Sequence, residues 1–276
     1  MRRLAIALVV LLIAGCGGQT AQPSMAVGAG PDPESTLLAH VYAAALRYYG
    51  SPAHVVSSKD PVADLDTGDV KVVPGLTGRL LLRFDPTATA RADEQVYRTM
   101  ISSLPEGIAA GDYAQSAMDK PAPAILESTA KEWGGRDVAV LLGHCDKLTV
   151  GAVAGTHPPT AVGTCKPPAA REYPDAAALF AALRSGRVNV AWASTAASGG
   201  TDDVVVLADR TSLILAENVV PLYRRNELTE RQVLALNEIA GELDTAALAD
   251  MVRQVAGGAE AGAVAAAWLD AHPLGQ

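Results

Sequence analysis

Short apolar runs alternate with amphipathic stretches along most of the chain. Residues 25–30 are a compact apolar run ending in glycines, the pattern of a buried strand. Asp32-Pro33-Glu34 then opens a helix. An Asp at the N-cap accepts an orphan backbone N–H, and a Pro at the first helical position has none to give. Leu37, Leu38, Val41, Tyr42, Ala45 and Leu46 keep to one helical face, and Gly50 closes it. Residues 54–57 predict a second strand, 60–67 a short helix or turn, and 70–73 a third strand closing at Pro74-Gly75. This order of strand, helix, strand, helix, strand is the rhythm of a parallel sheet.

Residues 78–84 predict a helix or turn and 92–104 another amphipathic helix. Lys120-Pro121-Ala122-Pro123 must be extended, because each proline excludes helix from the residue before it. Residues 113–124 therefore read as a passage between domains. Beyond it, 137–142 predicts a strand, and Cys145 to Cys165 a loop-rich insertion. A helix over 175–185, closed by Gly186, leads to a strand over 188–192. Strands over 203–207 and 219–223 bring the chain back, and helices over 229–242, 244–256 and 259–271 finish it. There are no internal repeats.

Composition narrows the class. Of 276 residues, 49% are hydrophobic and 19% charged, which fits a globular α/β chain and excludes disorder, collagen and coiled coil. The formal net charge of −8 argues against a nucleic-acid partner. The first residues add a compartment. Arg2-Arg3 precede an apolar run over 4–13 that is too short to span a bilayer as a mature helix, and Ile13-Ala14-Gly15-Cys16 follows. This resembles the lipobox of bacterial lipoproteins. It implies a signal peptide over 1–15, acylation at Cys16 and a polar tether over 16–24. The protein is then expected on the outer face of the cytoplasmic membrane, held by lipid.

Only Cys145 and Cys165 remain after Cys16, and in an oxidising compartment two such cysteines pair as a disulfide. The competing reading is a metal site of His144, Cys145, His157 and Cys165, whose spacing matches no common zinc pattern. Catalytic motifs are absent from the sequence: there is no Gly-x-Ser-x-Gly, no Walker loop and no His-Glu-x-x-His. Gly28-Ala29-Gly30 begins like a dinucleotide fingerprint, but Pro33 takes the third glycine's place. No cofactor and no enzymatic activity are expected.

Four segments carry a family resemblance. They are GAGPDPESTLLAHVYAAAL at 28–46, GDVKVVPGLTG at 68–78, LFAALRSGRVNV at 179–190 followed by Trp192-Ala193-Ser194-Thr195, and the return DDVVVLADRTSLILAENVVPLY with Val233 to Leu248. In order and spacing they resemble the substrate-binding proteins of ABC importers for glycine betaine, choline, carnitine and related osmoprotectants. The resemblance implies a two-domain periplasmic-binding-protein fold (type II-like) with two crossovers, and a small polar ligand closed into the cleft. It places domain 1 at 25–119 and 204–276 and domain 2 at 120–203. It implies an ABC permease and its ATPase as partners.

The family holds a quaternary ammonium in a box of aromatic faces. At the matching positions this chain has Asp32 for an aromatic and Leu76 for a tyrosine, keeps Thr77 and Gly78, and carries Ile125-Leu126-Glu127-Ser128 after Pro-Ala-Pro. Trp192 keeps an aromatic near the return crossover. The candidate ligand-binding residues are thus Asp32, Leu76, Thr77, Glu127, Trp192, Ser194 and Thr195. Four of them also have a structural reading: Asp32 as N-cap, Thr77 as a turn residue, Glu127 as a solvated charge and Trp192 as core; Glu34, near Asp32, reads as first-turn charge. A lipoprotein that uses the same cleft for sensing or for envelope contacts is the alternative function.

Overall fold

The computed structural model describes residues 23–156, 158–195 and 203–275; Cys16, with its signal peptide, and His157 lie outside them. The first sheet is built by β1 (Met25–Ala29), α1 (Pro33–Tyr48), β2 (Ala53–Ser57), α2 (Pro61–Thr67), β3 (Val72–Leu76), α3 (Thr77–Phe84), α4 (Asp93–Ser102) and β4 (Ile108–Ala110). Asp32 and Asp60 cap α1 and α2, each followed by a proline, as the local pattern dictates. β1 runs parallel to β2 and to β3. β3 continues through Pro74 and Gly75 to Leu76, longer than the sequence suggests. It tolerates the proline because Pro74 lies opposite Pro221, so one rung carries the whole loss of N–H donors.

The second sheet follows with β5 (Pro121–Leu126), α5 (Glu127–Trp133), a 3-10 helix (Val138–Lys147), β6 (Val150–Val153), β7 (Arg171–Tyr173), α6 (Ala176–Arg184), β8 (Val190–Ser194) and β9 (Val204–Val206). The chain then returns as β10 (Val219–Arg224) and ends in α7 (Glu230–Glu242), α8 (Thr245–Ala256) and α9 (Ala261–Ala271). Two expectations are corrected here. The apolar run at 137–142 lies in a 3-10 helix, started by the Asp137 carboxylate accepting the Ala139 N–H, and not in a strand. A five-residue apolar run does not separate the two by periodicity. The Cys145–Cys165 segment is more than an insertion, because it contains β6, which sits inside the sheet between β7 and β8. Cys145 and Cys165 are joined by a disulfide, which removes both thiolates from any metal site.

The strand orders are β2-β1-β3-β10-β4 and β7-β6-β8-β5-β9. In each sheet the fourth strand is antiparallel to its neighbours. Those strands, β10 and β5, are the two that arrive directly from the other sheet. They enter at the edge facing the crossovers, whereas a strand reached through a helix starts at the far edge. β9 pairs with β5, so the second sheet extends past residue 203.

Each sheet is covered on both faces. In the first, Val72 faces a core with α1, α7, α8 and α9, and Val73 faces one with α2, α3 and α4. In the second, Ile125 and Ala124 alternate in the same way between the 3-10 helix side and the α6 side. Among the described residues, no helix is long and apolar enough to cross a membrane.

Candidate functional site

The carboxyl ends of β1 and β3, the start of β10 and both crossovers meet at one edge of the first sheet. Ligands of open α/β sheets bind outside such strand ends. β1 leads through Gly30 to the cap Asp32, whose carboxylate accepts the Ser35 N–H at 2.8 Å, and on to Glu34 in the first turn of α1. β3 leads into α3, whose N-cap position is Leu76 and has no side chain to offer. The missing cap comes from the return passage: the Glu217 carboxylate accepts the Arg79 N–H at 2.9 Å and is also bonded by the Gly78 N–H. The approach needs a glycine, since a Cβ on Gly78 would stand 2.5 Å from the Ala216 carbonyl oxygen.

The passages themselves are stitched together. The Asp119 N–H donates to the Glu217 carbonyl at 2.9 Å, and Met118 bridges Asn218. Thr195 joins the second sheet to the same point. Its hydroxyl donates to the Met118 carbonyl at 2.9 Å and accepts the Lys120 N–H at 3.1 Å. Lys120 Nζ lies 2.9 Å from Asp209, whose side chain is only 2% exposed and which also accepts the Leu213 and Ile214 N–H groups. Met118, Lys120, Thr195, Leu207, Asp209 and Ile214 border a mostly apolar hollow of ≈ 390 Å³ on the second-sheet side of these passages.

Four charged side chains converge on the first-sheet side: Glu34, Arg79, Asp119 and Glu217. Glu34 is buried, and its carboxyl is pushed up to about 8, chiefly by burial and then by the Asp119 carboxylate beside it; Arg79 pulls the other way. Glu217 is pushed up to about 7, again by burial, with the Arg79 N–H and guanidinium opposing. Arg79 reaches Glu34 Oε2 only at 3.4 Å, and among the described residues no donor reaches Glu34 Oε1. Asp119 is in hydrogen-bonding range of Glu34, but two ionised carboxylates are both acceptors, so they bond only by sharing a proton.

The residues singled out from the sequence fall into three places. Asp32 and Thr77 border this cluster. Thr77 is fully buried, and its hydroxyl accepts the Asn218 N–H at 3.0 Å. Ser194, paired with Pro121, and Thr195 lie where β8 ends against the outgoing passage. Leu76 and Trp192 are packed into the first and second cores. Glu127 follows the far end of β5, about 20 Å along the strand from the crossover. There it pairs with Arg136 at 2.7 Å and, with Ser128, Arg184 and Asp203, lines a hollow of ≈ 340 Å³. Glu34, Arg79, Asp119 and Glu217 were not singled out as binding residues. For Asp119 and Glu217 the signal is an acidic residue just before the apolar run that arrives from the other sheet.

Residues 169–271 match the family model described as the substrate-binding domain of an ABC-type glycine betaine transport system. No curated protein sequence matches the chain significantly. A glycine betaine/carnitine/choline ABC transporter structure, 16% identical, superposes with a TM-score of 0.70 over 90% of this chain and 98% of its own. Apo YehZ from Escherichia coli, 20% identical, gives 0.69 over 91% and 99%. An ABC-transporter choline binding protein in complex with choline, 16% identical, gives 0.57 over 91% and 89%. These likenesses establish the fold as that of the type II periplasmic binding proteins, in agreement with the two sheets and crossovers described above.

Proposed function

We propose that this chain is the solute-binding component of an ABC importer, held by an acyl chain on Cys16 at the outer face of the cytoplasmic membrane. It binds without turnover, encloses a small polar solute between the two sheets, and presents the closed form to a permease driven by a cytoplasmic ATPase. The fold and the family match over 169–271 support the role. The observation that carries the binding site is the buried Glu34–Asp119–Glu217 cluster with Arg79, where the strand ends of the first sheet meet both passages to the second. Buried carboxyls shifted by desolvation and by a specific charged neighbour, at the strand ends where α/β folds bind ligands, mark a candidate functional site.

In this reading Asp32, Glu34, Arg79 and Asp119 contact the solute from the first sheet, and Ser194 and Thr195 approach from the hinge. Glu217 and Thr77 hold the start of α3 in place, and Trp192 and Leu76 support the walls from within the cores. Thermal unfolding and small-angle scattering against a panel of amines, quaternary amines, polyols, sugars and amino acids test it. A bound solute raises the midpoint, by about 2.7 kcal/mol of stabilisation at one hundred times its Kd, and shrinks the radius of gyration as the cleft closes. A panel in which no compound does both overturns the reading.

A further inference from the structure

We propose that the Glu34–Asp119 carboxyl pair anchors the solute and takes a protonated primary or secondary amine in preference to a quaternary one. This rests on the solute-binding reading above and names the ligand chemistry of that site. The two acids of the cluster differ in a telling way. The Glu217 carboxylate is satisfied by the fold itself, through the N–H groups that open α3. Glu34 is 9% exposed, its Oε1 meets no donor among the described residues, its Oε2 meets the Arg79 guanidinium at 3.4 Å, and the Asp119 carboxyl lies within hydrogen-bonding range. An ammonium with N–H bonds can donate to Glu34 and Asp119 together, which supplies the shared proton's role with a cation.

A quaternary ammonium has no N–H to give, and would leave Glu34 Oε1 buried and unmet. Such a cation is ordinarily held by aromatic faces. Here all twelve aromatic side chains are committed elsewhere. Eleven pack into or against the four cores, and Tyr48 is exposed against Tyr49. Arg79 does not already serve as the cation, because its contact is long and its side chain is 59% exposed. Two adjacent carboxyls equally disfavour an anion.

Proton linkage follows from the same geometry. The charged groups facing Glu34 are Asp32 on its own helix, Arg79 on α3 and Asp119 on the outgoing passage, with Glu217 of the return beside Arg79 and Asp119. Burial and Asp119 keep a proton on Glu34 at neutral pH. An arriving ammonium favours the ionised acid and displaces that proton, so binding tightens as pH rises toward 8 and weakens as it falls.

Titration calorimetry on the purified protein with ethanolamine, with a primary diamine (putrescine) and with choline tests the proposal. Choline is ethanolamine with its N–H bonds replaced by methyls. Ethanolamine or the diamine is expected to bind at least about tenfold more tightly than choline. Affinity should rise about tenfold from pH 6 to pH 7, with about one proton released per ligand when buffers of different ionisation enthalpy are compared. Glu34→Gln should weaken amine binding at least tenfold and abolish the proton release. Should that variant misfold, Asp119→Asn serves in its place. Choline binding as tight as ethanolamine, amine binding indifferent to both substitutions, or no amine binding at all overturns the proposal. If another compound of the panel still closes the protein, the solute-binding reading stands without it; if none does, both fall.

Discussion

Glu34 shows how much one residue's meaning depends on its surroundings. In sequence it is an acid in the first turn of a helix, where the positive helix end favours its charge. In the fold, burial and Asp119 outweigh that benefit and leave it protonated at neutral pH. The sign of the stability effect follows. The folded protein holds a proton that the unfolded chain releases near pH 4.5, so stability declines as pH rises from there to about 8 and levels off above. Glu34→Gln removes this contribution and leaves that of Glu217, which ends near pH 7. The variant is expected to melt at a higher temperature than wild type at pH 8, by about 2 kcal/mol of stability, with the difference vanishing near pH 4.5. Melting curves of both proteins across that range check it. A residue such as Asp32 is different, because its capping role depends only on the three residues after it and is legible without the fold.

Elements were legible where their signals are local and repeated. α1 is specified by Asp-Pro at its start and a long apolar face, and α7 by a Thr229–Gln232 capping box before its apolar positions. Short elements were not. The 3-10 helix at 138–147 reads as a strand, and β6 is four residues inside what reads as a loop. Their assignment comes from what they pack on: Val138, Leu141 and Val150 share the second core with Cys165. The Cys145–Cys165 disulfide ties that 3-10 helix across a separation of 20 residues. Replacing both cysteines with serine is expected to cost about 3 kcal/mol. The loss should fall on the second sheet, with faster amide exchange in β6 and β8 than in β1 and β3. An equal loss in both sheets would mean that the two unfold as one unit.

For the whole molecule, the two passages between the sheets decide both rigidity and function. They pair with each other at Met118–Asn218 and are tied to the second sheet by Thr195 and by the Lys120–Asp209 ion pair. Asp209 is nearly inaccessible, so taking away its cation leaves a buried charge with backbone donors alone. Lys120→Met is therefore expected to destabilise the protein by about 3 kcal/mol, measured by denaturant unfolding, whereas Lys131→Met, at an exposed pair, should change it by under about 0.5 kcal/mol. The sequence by itself determined the alternation of strands and helices, the helix starts, the extended backbone at Pro-Ala-Pro (though it reads as a passage and is the start of β5) and the cysteine pair, because each depends on neighbours or on a short period. Only the tertiary structure decided that Glu34, Arg79, Asp119 and Glu217 meet. They come from four distant stretches of chain, and neither their proximity nor the burial that sets their charge is written in any local pattern.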